Sequence, residues 1–136
     1  MISMIVALAL AANVSFTTVA RGSASGQVTP RQVTIQNADE WSALWKAHAP
    51  ARPLPAVDFS VQMVVGVFLG SRPTAGFDVE IVSVRTEDTA LVVEYVERRP
   101  GRDMIAAQVL TEPFHLVAVP KHQGPVRFVR IDAPPR

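Results

Sequence analysis

The sequence predicts an α+β domain: a mostly antiparallel, strongly twisted sheet of six to eight strands carrying one packed helix at about residues 38–49. Three observations carry this expectation. Short β-branched runs recur along the chain, each bounded by Gly, Pro, Asn or Asp. Eleven prolines punctuate many short elements rather than a few long helices. A single segment shows helical periodicity with both a start and a stop signal. The 136 residues suit one domain, since chains of about 150 residues bury roughly two-thirds of their extended-chain surface. With 49% hydrophobic residues and Lys+Arg 13 against Asp+Glu 12, the composition excludes intrinsic disorder.

Taken in order, the apolar run MISMIVALALAA is about a dozen residues long, too short for a helical membrane span, which needs about 20. It has the length of an export-signal core, with Ala9-Leu10-Ala11 as a small-x-small cleavage site, although no charge precedes it. The expected organisation is a leader over residues 1–13 and a single domain over 14–136. Residues 16–20 read as the first strand and residues 32–35 as the second. Asn37 caps the helix and Glu40 completes a capping box. Trp41, Leu44, Trp45 and Ala49 form one stripe, a ridge for packing on a sheet with the indole N–H groups at its rim. Pro50 ends it.

The apolar run at residues 62–69 reads as a strand buried on both faces, between sheet and helix. Residues 77–81 alternate, with Phe77, Val79 and Ile81 inward, and pair as a hairpin with residues 91–97 across a turn at Glu87-Asp88. Residues 108–111 and 114–119 read as strands flanking Pro113, which implies a bulge or an edge. Residues 126–131 form the last strand.

Chemistry is sparse. The chain has no cysteine, which excludes a zinc–cysteine site, an iron–sulfur cluster, a disulfide framework and a thiol nucleophile. A net charge of +1 argues against a nucleic-acid partner. His48, His115 and His122 lack ligand spacing, so no metal or other cofactor is expected. His48 ends the helix, where the dipole favours a cation. A Ser71, His115 and Asp78 triad has no nucleophile elbow around it. Glu94 and Glu97 lie three apart on a strand and read as surface residues. No residue passes as catalytic. The loops remain: residues 70–77 combine Arg72, Pro73 and two glycines with Phe77, and Arg98 and Arg99 lie in a second charged loop. Arg and aromatic residues are common interface anchors.

Several stretches carry a resemblance to a known family. These are Asp58-Phe59-Ser60, the run from Met63 to Gly70, the loop Arg72-Pro73-Thr74-Ala75-Gly76-Phe77, and Glu112-Pro113-Phe114-His115-Leu116-Val117. With the Glu40-Trp41-x3-Trp45 helix, they resemble the PrcB C-terminal domain across roughly residues 28–131. Ala75 and Phe77 depart from that family's usual Thr-Gly-Gly-Tyr. The resemblance implies a secreted or periplasmic, non-enzymatic accessory module. Its partner would be a protein, a protease being the candidate, since the namesake subunit supports a protease complex.

The binding surface expected on this basis comprises Arg72, Pro73, Thr74, Gly76, Phe77, Arg98, Arg99, Phe114 and His115. Two alternatives stand beside it. The 72–77 loop is similar to the Pro-Thr-Thr-Gly-Tyr loop of chagasin-type protease inhibitors, which implies inhibition by loop insertion. A small-ligand pocket between the Trp41/Trp45 helix and the sheet is the other.

Overall fold

An apolar run such as residues 63–69 needs cover on both faces, and the fold is layered around it. The structure is a computed structural model describing residues 11–134. Its elements are β1 (Ala12–Asn13), β2 (Thr17–Gly22), β3 (Arg31–Ile35), α1 (Ala38–His48), β4 (Gln62–Phe68), β5 (Asp78–Glu87), β6 (Ala90–Arg98), β7 (Phe114–Pro120) and β8 (Val126–Ile131). The α+β class, the single helix and the number of strands follow the expectation. The strands, however, divide into two four-stranded sheets, β2-β7-β4-β3 and β1-β5-β6-β8, rather than one.

The division follows from side-chain alternation on β4 and β7. On β4, Val64 and Phe68 join Leu116 and Phe114 of β7 under the helix, packed against Trp41, Leu44 and Trp45. Met63, Val65 and Val67 face the other way and meet Val79, Ile81 and Val93 of the second sheet. Two cores therefore share two strands, in the order helix, sheet, sheet. Gly66 lies opposite Leu116, and a Cβ built on it would come 2.2 Å from Leu116 Cδ2.

Helix α1 is capped by Asn37 as expected, but Glu40 returns to the N–H of Gln36, one residue before the cap, rather than to that of the cap itself. Asn37 Oδ1 accepts the Glu40 N–H at 2.9 Å, and Glu40 Oε2 accepts the Gln36 N–H at 3.2 Å. Both indoles are buried, with their N–H groups bonded to the Pro55 and Arg52 carbonyls. The Trp face is thus closed by the connection that follows the helix, and a ligand pocket there is not what this face forms. A hollow does open beside the helix between β3 and Ala43, Leu44 and Ala47, away from the indoles.

Strand pairing is antiparallel except for β6 and β8, which run parallel from Leu91↔Val126 to Val96↔Ile131. The chain leaves β7 in one sheet, turns at residues 121–125 and enters the other sheet beside the first residues of β6. It can only continue along β6 in the same direction. The β5–β6 hairpin turns at Asp88, which has φ 54°, a conformation that Asp adopts more readily than most residues.

At the other side, Ala12 and Asn13 pair with Thr86 and Arg85 of β5 before the chain crosses to β7 as β2. Ordered pairing thus begins within the 1–13 segment read as a leader, whose first ten residues lie outside the described part. Residues 108–111 do not form the expected strand. Val109 and Leu110 are exposed, and Thr111 makes only an isolated bridge to Arg72.

Candidate functional site

The two loops singled out in the sequence come together at one end of the layers. Arg72 and Thr111 exchange backbone hydrogen bonds of 2.7 and 3.0 Å, and the Ala75 N–H donates to the Ala107 carbonyl at 3.0 Å. Thr111 Oγ1 donates to the Thr74 carbonyl at 2.9 Å. Gly76 has φ 91° and lies against Pro100, whose Cγ would be 3.0 Å from a Cβ at that position. Positive φ falls at Gly70 and Gly76, so Ala75 occupies a position that makes no such demand. The loop over residues 99–112 is thereby fixed to the loop over residues 70–77. On it Met104, Ile105, Val109 and Leu110 are exposed, Ile105 completely and Leu110 by 73%.

Arg72 holds this junction together. Its Nε and Nη2 both donate to Glu97 Oε1 at 3.0 Å, and Nη1 donates to the carbonyls of Leu69 and Ser71. The Glu97 side chain is only 8% exposed, so the expectation of a surface carboxylate is corrected: strand β6 aims it between the sheets, toward Arg72. Removing the cation would leave a nearly buried carboxylate with Arg130 at 3.5 Å as its remaining charged partner. Arg72→Ala is expected to cost about 2–3 kcal/mol, at or below the usual range for a broken buried pair because Arg72 is partly hydrated. Urea unfolding measures it, and an unchanged midpoint would make Arg72 a free surface anchor after all.

Arg98 is likewise engaged, with Glu80 at 2.8 Å and Asp78 at 3.2 Å, and Arg21 of β2 binds the same two carboxylates. Phe77 and Thr74 are half-buried, Pro73 and Arg99 exposed. Arg99 has no ion pair among the described residues.

Phe114 and His115 leave the expected surface. Both are buried, at 1% and 2% exposure, because β7 is covered on each face from its first residue. Phe114 points under the helix, its ring 4.2 Å from that of His48. His115 points between the sheets, where Nδ1 accepts the Ile81 N–H at 2.9 Å. That bond fixes the tautomer, so Nε2 carries the proton and donates to Thr18 Oγ1 at 2.8 Å. No Ser71–His115–Asp78 relay forms. Burial first, and then the Arg21 guanidinium, lowers the His115 pKa to about 4, against opposing effects of Glu80 and Asp78.

His48 corrects the helix-end reading. It is a buried neutral ring rather than a solvated cation, because residues 25–26 fold over the end of the helix. Ser25 Oγ lies 2.7 Å from Nδ1, and the Gly26 N–H donates to the His48 carbonyl at 2.7 Å. Ser25 Oγ already accepts the Gln27 N–H, leaving its own hydrogen for Nδ1. Nε2 has no polar partner among the described residues and lies amid Trp45, Phe68 and Phe114. Burial, then Arg52, lowers its pKa to about 4.

A cleft of about 450 Å³ opens where the sheets part, between β3 and the β6–β8 pair. Arg31, Arg72 and Arg130 line it with Gln32, Tyr95 and Glu97. Gln32 Nε2 bridges the gap to the Tyr95 hydroxyl at 3.2 Å. Sequence reasoning missed this cleft because its walls come from segments about sixty and thirty-five residues apart in the chain. No cluster of three or more His, Cys, Asp or Glu fit to hold a metal occurs among the described residues, and no helix there is long and apolar enough to cross a membrane.

Among protein families, residues 63–120 match the model described as PrcB C-terminal. The match runs from β4 to the end of β7 and includes both loops. Searches of the curated proteins and of the solved structures returned no match.

Proposed function

We propose, from the match of residues 63–120 to the PrcB C-terminal family model, that the protein is a non-catalytic accessory domain, exported to the cell envelope, that binds a protein partner through the joined 70–77 and 99–112 loops. The partner class favoured by the family resemblance is a protease complex. One observation carries the choice of surface: four exposed aliphatic side chains stand on a loop that backbone hydrogen bonds hold in place. Apolar groups displayed on a fixed support lose little entropy on docking, and their burial contributes about 25 cal/mol per Å². Arg99 and Arg102 border the patch as polar rim. Within the 70–77 loop, Phe77 contributes through its exposed part, while Arg72, Thr74 and Gly76 act as support.

Affinity capture of the tagged full chain from its native envelope fraction tests this reading. The unaltered protein should retain a protease-complex component, and Ile105→Ser with Leu110→Ser should lose it at an unchanged melting temperature. Equal capture by both proteins would place the binding surface elsewhere.

A further inference from the structure

The cleft where the two sheets part is a second concave surface, centred on β3, β6 and β8 and sharing its supporting and rim arginines, Arg72, Arg99 and Arg102, with the loop surface. We infer that it binds an acidic polypeptide in extended form, lying as an added strand between the open edges of β3 and β8.

The first argument is the backbone. Among the described residues, strand β3 pairs only with β4, and β8 only with β6, so each carries one edge without a strand neighbour there. Both border the cleft, β3 through Arg31 and Gln32 and β8 through Arg130. Unpaired edges are templates for an added strand, and proteins normally blunt or cover them. Here two of them flank a single opening, and an extended chain is the ligand that satisfies N–H and C=O groups along an edge.

The second argument is charge. Three guanidinium groups line the cleft against the Glu97 carboxylate. Glu97 is committed to Arg72 by two hydrogen bonds and reaches Arg130 only at 3.5 Å. Arg31 is exposed and has no ion pair among the described residues. Arg31 and Arg130 therefore face the opening with most of their charge uncompensated, and planar guanidinium groups suit carboxylates.

The third argument is shape. Beyond Glu97 the cleft continues into two smaller hollows of about 140 and 280 Å³, where Arg99 and Arg102 outnumber the one further carboxylate, Asp132. Glu97, Arg99 and Arg130 are shared between neighbouring hollows, which makes a running groove. A groove of this form fits a polymer better than a compact anion. Of the two acidic polymers, a polypeptide fits better than a nucleic acid. Of the two aromatic residues lining the cleft, Phe68 is buried in the core under the helix and Tyr95 alone offers a ring to the opening, so successive bases would lack stacking platforms.

Fluorescence anisotropy with a labelled peptide of alternating Glu and Val tests the proposal on the full chain. The peptide should bind saturably, and the Lys/Val counterpart should bind at least about tenfold more weakly. Arg31→Gln together with Arg130→Gln should weaken binding about tenfold, as should raising salt from about 50 to about 500 mM. Both substitutions are on exposed side chains, so folding is preserved.

N-methylation of alternate peptide nitrogens leaves charge intact and should abolish binding, because strand pairing is lost. Binding should be unchanged in the Ile105→Ser, Leu110→Ser variant, which separates this groove from the loop surface. Absence of saturable binding, equal binding of the Lys peptide, or undiminished binding of the N-methylated peptide would overturn the proposal. So would displacement by an oligothymidylate at equal charge concentration, which would mark a groove for polyanions in general.

Discussion

Lowering the pH from about 7.5 to about 4.5 is expected to remove several kcal/mol of folding stability, through two histidines on opposite faces of one sheet. Folding holds the His48 and His115 pKa values at about 4, against an ordinary value of 6.5. In the unfolded chain both imidazoles titrate near the ordinary value. Between about pH 6.5 and about pH 4 the unfolded state therefore binds more protons than the folded one. The contribution of the two rings to stability is full above that window, falls as the pH drops through it, and levels off below it.

At 1.36 kcal/mol per pKa unit, each ring contributes about 3 kcal/mol across the window. The geometry gives the same direction. Protonating His115 at Nδ1 would set an N–H against the Ile81 N–H, and a charged His48 would sit among aromatic rings. Urea midpoints at about pH 7.5 and about pH 5 measure the effect. A His115→Gln variant should lose about half of the pH dependence, and superimposable unfolding curves at the two pH values would refute the assignment.

Phe114→Ala is expected to lower stability by about 3–5 kcal/mol, the usual cost of emptying an aromatic site in a closed core. The ring lies 4.2 Å from His48 and stacks on Phe68 at 6.1 Å, and its edge would approach a Cβ at Gly22 to 3.3 Å. The substitution also has a second expected consequence. With the ring gone, water reaches His48, its pKa rises toward the ordinary value, and part of the acid sensitivity disappears. A loss below about 1 kcal/mol in urea would mean that Phe114 is mobile or surface-facing. That outcome would restore it to the docking surface.

How far the sequence carried depended on whether a feature was local. The helix was legible from Asn37, Glu40 and the Trp41–Leu44–Trp45 stripe, because caps and periodicity act within a few residues. The double-sided burial of β4 was legible from its unbroken apolar run. Its covers, expected to be a sheet and the Trp helix, are these; what the run could not say is that the covering sheet is a separate one from its own, since any apolar layer produces the same pattern. The parallel partner of β6 depends on where the chain re-enters after β7, which no short window contains.

Glu97 looked like a surface carboxylate because a charged residue at the end of a strand is normally hydrated, although alternation sets it on the same face as Val93 and Tyr95. Here that face turns into the seam between the sheets. Val109 and Leu110 looked like a strand because β-propensity reflects packing, and these residues have nothing to pack on. The loop pair was recognised by its glycines, proline and arginines, and its mutual hydrogen bonding was not. His48 was misjudged for a related reason. The helix dipole argument treats the end of α1 as solvated, whereas Ser25 and Gly26, more than twenty residues earlier, cover it.

The sharing of β4 between two cores has one more consequence, for how the chain avoids misalignment. In an ordinary one-sided sheet, a strand that slides by one residue turns its apolar side chains into water and is rejected at once. Sliding β4 carries no such penalty, because both of its faces end in apolar surroundings whichever way it is set. Discrimination must then come from volume. Gly66 is the one position on β4 without a side chain, and it lies where Leu116 leaves no space for one. A shifted β4 would press a valine onto Leu116 and leave a void in the other core. The strand is thus keyed by a missing methyl group rather than by hydrophobicity.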